Sequence, residues 1–421
     1  MDSKDINKYI EDLAVKAKSA ASLISSIETK KKDSALNTMA EIISERKEQI
    51  LQANYQDIKE AKDQNISPHL LERLELNESR IDSMVLGLKN IAKLPDPIGN
   101  ITKLKSTPSG IRVRKMRVPI GVIGIIYESR PNVTADAAAL CFKSGNSCIL
   151  RGGSESLRSN IEISQCLIDA LEENKLPKSS VNLIKTSDRE AVRMLLSQEE
   201  SLDLIIPRGG KNLIKSVLEN TKIPVLRHLD GICHVFIDKD AEVQKALDIS
   251  INAKTYRYSI CGAMETLLIH KNIAKEVLPK LGKLFFEKEV ELRGCKQTIK
   301  LIDASEATEQ DWVSEYLAPI LCIRIVESLD AAIKHINKYG SAHTDSIVTE
   351  NNERAQIFLK SVDSSSVMHN LPTCWADGFE YGLGAEIGIS TDKLHARGPI
   401  GLEGLTSEKY LVLGNAELRG I

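Results

Sequence analysis

The sequence contains no apolar run approaching the roughly 20 residues that a bilayer-crossing helix needs, so no membrane span is expected. It also lacks a surplus of either charge. Lys and Arg number 56 against 58 Asp and Glu, for a formal net charge of -2. A nucleic-acid binder usually gathers a basic excess on one face, which sets that class aside. The opening residues, Met1-Asp2-Ser3-Lys4-Asp5, hold no apolar signal core, and no secretory address is expected. None of the eight cysteines forms a C-x-x-C pair. Scattered thiols fit a reducing, cytoplasmic setting better than a disulfide framework. No H-E-x-x-H motif and no Cys/His cluster with ligand spacing is found, so no metal is expected. Cys233 and His234 are adjacent on a strand-like run, where neighbours point to opposite faces and make poor co-ligands. Internal repeats and low-complexity tracts are missing as well.

What is present is a 421-residue chain, too long for one core, so two or three domains are expected. The first hundred residues carry helical spacing. It runs through Ile6, Tyr9, Ile10, Leu13, Ala14 and Ala17, through Leu36, Met39, Ile42 and Ile43, and through Met84, Leu86 and Leu88 before Pro95-Asp96-Pro97. Alternation from Lys103 to Arg117 around Thr107-Pro108-Ser109-Gly110 predicts a hairpin. From Pro119 short apolar runs alternate with amphipathic stretches. The runs are Val122–Ile126, Cys148–Leu150, Val181–Ile184, Leu204–Ile206 and Val235–Ile237. A second series follows at Thr266–Ile269, Ile320–Ile325, Asp345–Val348 and Ser366–Met368. Such alternation predicts an α/β architecture of parallel strands covered by helices. The tail from Gly378 is rich in glycine, as expected either for backbone running close to a ligand or another chain, or for ordinary surface loop.

Cys261 sits in a turn between a helix ending near Lys254 and a strand beginning near Glu265. The thiolate is the nucleophilic form, and nearby positive charge or exposed N–H groups favour it. Lys254 and Arg257 supply charge in sequence, and Gly262 leaves the backbone open. The alternative is one inert buried thiol among eight. Leu204-Ile205-Ile206-Pro207-Arg208-Gly209-Gly210-Lys211 reads as strand, glycine pair and helix, a junction that can set phosphate oxygens on a helix N-terminus or be a plain turn. At Leu150-Arg151-Gly152-Gly153-Ser154-Glu155 the arginine is suited to a phosphate, and the serine to a cap or a hydroxyl.

Taken together these stretches resemble the gamma-glutamyl phosphate reductase family, also called glutamate-5-semialdehyde dehydrogenases, of the aldehyde dehydrogenase superfamily. The resemblance spans nearly the whole chain and is densest from Pro119. Its motifs are Pro119 to Asn132, Leu150 to Glu155, Ile206 to Gly210, His228 to His234, and the tail from Gly382 to Ile387 and from His395 to Pro399. The resemblance implies an aldehyde dehydrogenase-like fold. A Rossmann-like NADPH domain would take residues 1–102 and 119–254. A catalytic domain would take 255–369. An oligomerisation flap and C-terminal segment would take 103–118 and 370–421.

The implied reaction is reduction of L-glutamyl 5-phosphate to glutamate 5-semialdehyde by thiol attack from Cys261, loss of phosphate and hydride from NADPH, on the route to proline. Covalent catalysis divides one hard step into two easier ones, each passing through an oxyanion that needs donors. The N–H of Cys261 and the side chain of Asn132 are candidates, although Asn132 also suits a turn. Glu315 resembles the superfamily glutamate that holds the nicotinamide ribose; otherwise it is a solvated charge. Arg151, Ser154, Glu155, Gly209 and Gly210 are the expected cofactor contacts, and Arg257, Thr373 and Arg397 the expected substrate contacts. His228 stands where hydrolytic relatives carry a water-activating glutamate, which suits a reductase that keeps water from its thioester; a structural histidine is the alternative. A homo-oligomer and a glutamate kinase partner are further expectations.

The sequence departs from the family at the site. The usual T-Q-R-P-x-V-C-N-A appears with Tyr256, Tyr258 and Gly262 in place of Gln, Pro and Asn, and N-A-S-T-R-F appears as Asn370 to Trp375, with Cys374 in place of arginine. Arginine is the natural carboxylate clamp. Its loss leaves three readings: the family reaction with other groups holding substrate, a reductase of a different acyl phosphate or aldehyde, or a catalytically weak binding or regulatory homologue.

Overall fold

Five helices occupy the first hundred residues: α1 (Ser3–Ile24), α2 (Thr29–Glu45), α3 (Lys47–Asp63), α4 (Pro68–Leu74) and α5 (Glu78–Lys93). Most of the residues that carry the helical spacing are buried, Ile10, Ala14, Leu36, Met39 and Leu88 completely, whereas Tyr9 and Leu13 are partly buried and Leu86 is exposed. The computed structural model describes residues 3–107, 110–227 and 230–419. Pro108, Ser109 and His228 therefore lie outside the described residues.

Two compact units divide the chain. The first contains residues 1–227, 383–388 and 400–421, and the second residues 228–382 and 389–399. In the first unit β1 (Lys105–Ser106) pairs antiparallel with β2 (Arg112–Pro119), as the hairpin reading expects. The strand Thr406–Leu413 then pairs antiparallel along all of β2. A separate parallel sheet follows. Its strands are β3 (Val122–Tyr127), β4 (Ser147–Arg151), β5 (Val181–Leu183) and β6 (Leu204–Arg208), in the order β5-β4-β3-β6. The connecting helices are α6 (Pro131–Lys143), α7 (Leu157–Glu173), α8 (Arg189–Leu196) and α9 (Lys211–Asn220). Every residue of β3 is buried, as expected of a parallel strand covered on both faces. Ile6, Ile10, Val122, Ile126, Ile149 and Ile205 share one core cluster. Burial of each isoleucine contributes about 1.5–3 kcal/mol.

The second unit is a seven-stranded parallel sheet ordered β10-β9-β11-β8-β7-β12-β13. Its strands are β7 (Cys233–Ile237), β8 (Met264–His270), β9 (Glu291–Gly294), β10 (Ser305–Glu306), β11 (Ile320–Val326), β12 (Thr344–Val348) and β13 (Ser366–His369). Four helices cover it: α10 (Val243–Thr255), α11 (Lys271–Glu287), α12 (Leu329–Tyr339) and α13 (Asn352–Ser361). Val235, Ile237, Leu267, Ile269, Leu321 and Ile323 form the core on one face. Phe236, Leu268, Ile347 and Phe358 form that on the other.

The division differs from the junction expected at residue 254. β7 pairs with β8 and β12, so β7 and α10 belong to the second sheet although their rhythm continues that of the first. The tail is likewise shared out, with residues 389–399 in the second unit and 400–421 in the first. No helix of the described residues is long and apolar enough to cross a membrane.

Candidate active site

α10 delivers Cys261. Its N-terminus is capped by Glu242, whose carboxylate accepts from the N–H groups of Gln244 and Lys245 at 2.8 Å each, a cap worth about 1 kcal/mol. The helix stops at Thr255 and β8 begins at Met264, leaving Cys261 in the intervening loop. The thiol is half-buried. Five of the eight cysteines are fully buried, and four of these are pushed toward the neutral thiol. A contact with Cys148 and then burial raise Cys141. Burial raises Cys166 to about 11, Cys322 to about 12 and Cys233 well above its ordinary value. The half-buried Cys374 is also raised by burial.

The backbone of Cys261 is held closely. Its carbonyl oxygen accepts from the Cys233 thiol at 3.1 Å. Gly231 lies against it so tightly that a Cβ there would stand 2.1 Å from that oxygen. Only glycine permits this approach. Gly231 is fixed in turn, since its N–H donates to Glu315 Oε1 at 2.9 Å. On the other side, a Cβ on Gly262 would stand 3.2 Å from Thr373 O and 3.5 Å from Cys374 Cα. Gly262, which follows Cys261, thus packs on the very segment that departs from the expected pattern.

Lys254 does not supply free charge to the thiol. Its ammonium is buried and paired with Glu265 at 2.6 Å, with both side chains almost wholly inaccessible. Burial lowers the Lys254 pKa against the pull of Glu265. Burial likewise raises Glu265 to about 7, the Lys254 charge opposing it. Glu265 is a residue that the sequence reading missed. A glutamate and a lysine set among Ala253, Met264, Leu267 and Leu268 were the available signal.

Among the expected substrate contacts, Thr373 is wholly buried and its hydroxyl has no hydrogen-bond partner. Arg257 is exposed. Arg397 is committed elsewhere, donating to Asp363 Oδ1 at 2.9 Å and Asp363 O at 2.8 Å. Cys374 makes a thiol contact with Asn252 Oδ1 at 3.3 Å.

The first unit carries the remaining expected residues. Asn132 is exposed on the first turn of α6 and donates to Asp136 at 3.0 Å, which orients its amide. Arg151 ends β4, donating to Gly152 O at 2.6 Å and Ser187 O at 3.2 Å, while its Nε is buried without a partner. Ser154 is exposed, and Glu155 Oε1 accepts from the Ser129 N–H at 2.7 Å and the Ser129 hydroxyl at 2.5 Å. Glu128, also missed, accepts from the Gly210 N–H at 2.9 Å. Its carboxylate would stand 2.5 Å from a Cβ on Gly209. An acidic oxygen of the chain itself therefore rests on the N–H that opens α9, at the junction whose sequence allows either a phosphate site or a plain turn. The unpartnered Nε of Arg151 suits an anionic group, whereas the Glu128 carboxylate already holds the Gly210 N–H that a phosphate would need.

A sequence profile of the aldehyde dehydrogenase family matches residues 2–293. An acetylating aldehyde dehydrogenase from Geobacillus thermoglucosidasius shares the fold at 16% identity and a TM-score of 0.71, over 100% of this chain and 99% of that one. Gamma-glutamyl phosphate reductase from Thermotoga maritima is similar at 43% identity, a TM-score of 0.95 and coverage of 97% of this chain and 99% of that one. The Saccharomyces cerevisiae gamma-glutamyl phosphate reductase is 33% identical, with a TM-score of 0.55 and coverage of 98% and 99%. The chain belongs to the aldehyde dehydrogenase family and, within it, to the gamma-glutamyl phosphate reductases.

Proposed function

We propose that this chain reduces L-glutamyl 5-phosphate to L-glutamate 5-semialdehyde and phosphate with NADPH, through a thioester on Cys261. One observation carries the assignment of the nucleophile. Cys261 is a half-buried thiol in the turn between α10 and β8, its carbonyl pinned by Cys233 and Gly231, in a chain that matches a gamma-glutamyl phosphate reductase over 97% of its length.

The Cys261 thiolate attacks the acyl carbon, forming a C–S bond as the C–O bond to phosphate breaks. The N–H of Cys261 is the first proposed oxyanion donor, on a loop whose carbonyl is held in place by Cys233 and Gly231. Asn132, oriented by Asp136, is the second proposed donor. Arg151, Ser154, Glu155, Gly209, Gly210 and Glu315 are proposed to hold NADPH, which supplies hydride when bound. Collapse of the hemithioacetal breaks the C–S bond, frees the aldehyde and returns the thiolate. Thr373 and Arg257 are proposed to hold the substrate.

A second reading, reduction of a different acyl phosphate, is favoured by one feature. Cys374 replaces the family arginine and bonds to Asn252, while Arg397 is engaged by Asp363.

The first unit is read as the NADPH-binding part and the second as the catalytic part. A homo-oligomer formed through the β2 and Thr406–Leu413 sheet is supported by the exposed Tyr410, Val412 and Leu413. A glutamate kinase that hands over the labile acyl phosphate is part of the same proposal, as is a cytoplasmic location, which eight free cysteines suit.

The test is the reverse reaction with glutamate semialdehyde, phosphate and NADP, using wild type and Cys261→Ala. Wild type is expected to form NADPH and the variant to form none. An inactive wild type would overturn the substrate assignment, and an active variant the role of Cys261.

A further inference from the structure

The loop that carries Cys261 is closed at its base by two buried charges. Lys254 occupies the last turn of α10 and Glu265 is the second residue of β8, so their 2.6 Å contact ties the entry of the loop to its exit. A buried ion pair is a poor stabiliser, because desolvation offsets the attraction, and apolar residues of similar volume usually serve as well. What such a pair does provide is fixed geometry, and here that geometry extends further. The second carboxylate oxygen, Glu265 Oε1, accepts from the Leu317 N–H at 3.2 Å. Leu317 has a left-handed φ of 51° and lies two residues beyond Glu315, whose own carboxylate accepts from the Gly231 N–H at 2.9 Å. Gly231 rests on the carbonyl of Cys261. The contacts therefore form a closed circuit from Cys261 through Gly231, Glu315, Leu317, Glu265 and Lys254 back to the Cys261 loop, wholly within the second unit.

We propose that Lys254 and Glu265 are positioning residues that couple the Glu315 segment to the nucleophile loop, so that engagement of Glu315 by the cofactor resets the backbone that presents Cys261. This rests on the reductase reading only in taking Glu315 as a cofactor contact. Neither Lys254 nor Glu265 is assigned a contact with the reacting atoms. The Gly231 contact can pass a movement of the Glu315 segment to Cys261 only while the base of the loop is held, and the route through Leu317 to Glu265 and Lys254 is what holds it. The pair is the rigid element of that route, and breaking it leaves the loop base untied. The groups facing Glu265 are Lys254 on α10, Cys233 on β7, Cys322 on β11 and Glu315 itself. Both thiols are held neutral by burial, which leaves Lys254 and Glu315 as the charges that act on it. With the Glu265 carboxyl raised by burial to about 7, protonation on the acid side of neutrality weakens the clasp and should uncouple the circuit.

The test reads the rate at which iodoacetamide alkylates Cys261, followed on the Cys261 peptide by mass spectrometry, with and without NADP. In wild type at about pH 8, NADP should change that rate by about fivefold or more. At about pH 5.5 the change should shrink to less than about twofold, as Glu265 takes up a proton. Glu265→Gln, which keeps the shape but not the charge, should bind NADP within about threefold of wild type in a fluorescence titration yet lose the response at about pH 8. Its kcat should fall about tenfold with KM little changed. If Glu265→Gln does not fold, Lys254→Met/Glu265→Gln, which removes both charges, is measured in its place.

An NADP response retained at the acid pH, or retained by a folded variant, overturns the proposal. So does a wild type that binds NADP with no change at Cys261. The reductase reading would survive each of these results, since it is decided separately by the Cys261→Ala assay. A wild type that binds no NADP at all would overturn both.

Discussion

The thiol of Cys233 donates to the carbonyl oxygen of Cys261 across 3.1 Å, so one cysteine that cannot react orients another proposed to do so. Burial holds Cys233 as a neutral thiol, the form that has a proton to donate. Cys233→Ala should leave Cys261 open to alkylation but lower kcat by about 5–30-fold, the effect of losing one hydrogen bond of about 1–2 kcal/mol. Cys233→Ser, which keeps a donor, should recover much of that loss. Steady-state kinetics of the two variants decide the point, and equal activity in both would remove the bond from the account.

Gly231 admits no side chain. A methyl group at 2.1 Å from Cys261 O meets backbone, which cannot rotate away. Gly231→Ala should therefore push the Cys261 loop out of place and destabilise the second unit by about 1–3 kcal/mol. Because Gly231 also donates to Glu315, turnover should fall by about a hundredfold or more, beyond what the stability change alone predicts. Thermal melting beside turnover separates the two effects.

Cys374 offers a test of substrate choice. Cys374→Arg restores the family residue at a position packed against Gly262. If the substrate carries the glutamyl carboxylate, a new charged hydrogen bond of about 1.5–3 kcal/mol should lower KM for glutamate semialdehyde by about 10–100-fold. A KM that rises, with other aldehydes turned over better by the wild type, would favour the second reading.

Acid should weaken the second unit through His335. Burial, then the charges of His234, Arg324 and Lys338, lower its pKa from the usual 6.5 to about 2. Its Nδ1 faces the Arg324 guanidinium at 3.0 Å, so the folded ring stays neutral. The unfolded chain takes up a proton below about pH 6.5 and the folded one does not, so stability falls as pH drops from about 6.5 toward 2. The slope for one such group is about 1.4 kcal/mol per pH unit. His335→Gln should flatten the acid limb by that amount in urea melts between about pH 6 and pH 4. An unchanged slope would mean that the ring is protonated in the folded state.

Much of this arrangement was legible in the residues. The strand runs, the hairpin within Lys103 to Arg117 and the turn that holds Cys261 all follow from local pattern, because each element is specified by neighbours a few positions away. The unit boundary was not legible. Val235 to Ile237 looks like the fifth strand of one series, and only its pairing with residues 264–269 and 345–348 moves it to the other sheet. The roles of Lys254 and Glu128 were hidden for the same reason. Lys254 is cancelled by a partner 11 residues on, and Glu128 meets Gly210 from 82 residues away. Spacing along a chain carries no sign of either meeting. His228, the residue read as a mark of reduction, lies outside the described residues.

The pairing of Thr406–Leu413 with Arg112–Pro119 has a bearing on how the protein is made. Almost 300 residues of synthesis separate the two strands. Until those later residues leave the ribosome, most of β2 is an open edge whose N–H and C=O groups can recruit any extended chain nearby. The wait is made safer by the composition of β2, where Arg112, Arg114, Lys115 and Arg117 place four positive charges on eight residues. Like charges on two such edges repel, so nascent copies are kept from pairing with one another while each awaits its own closing strand.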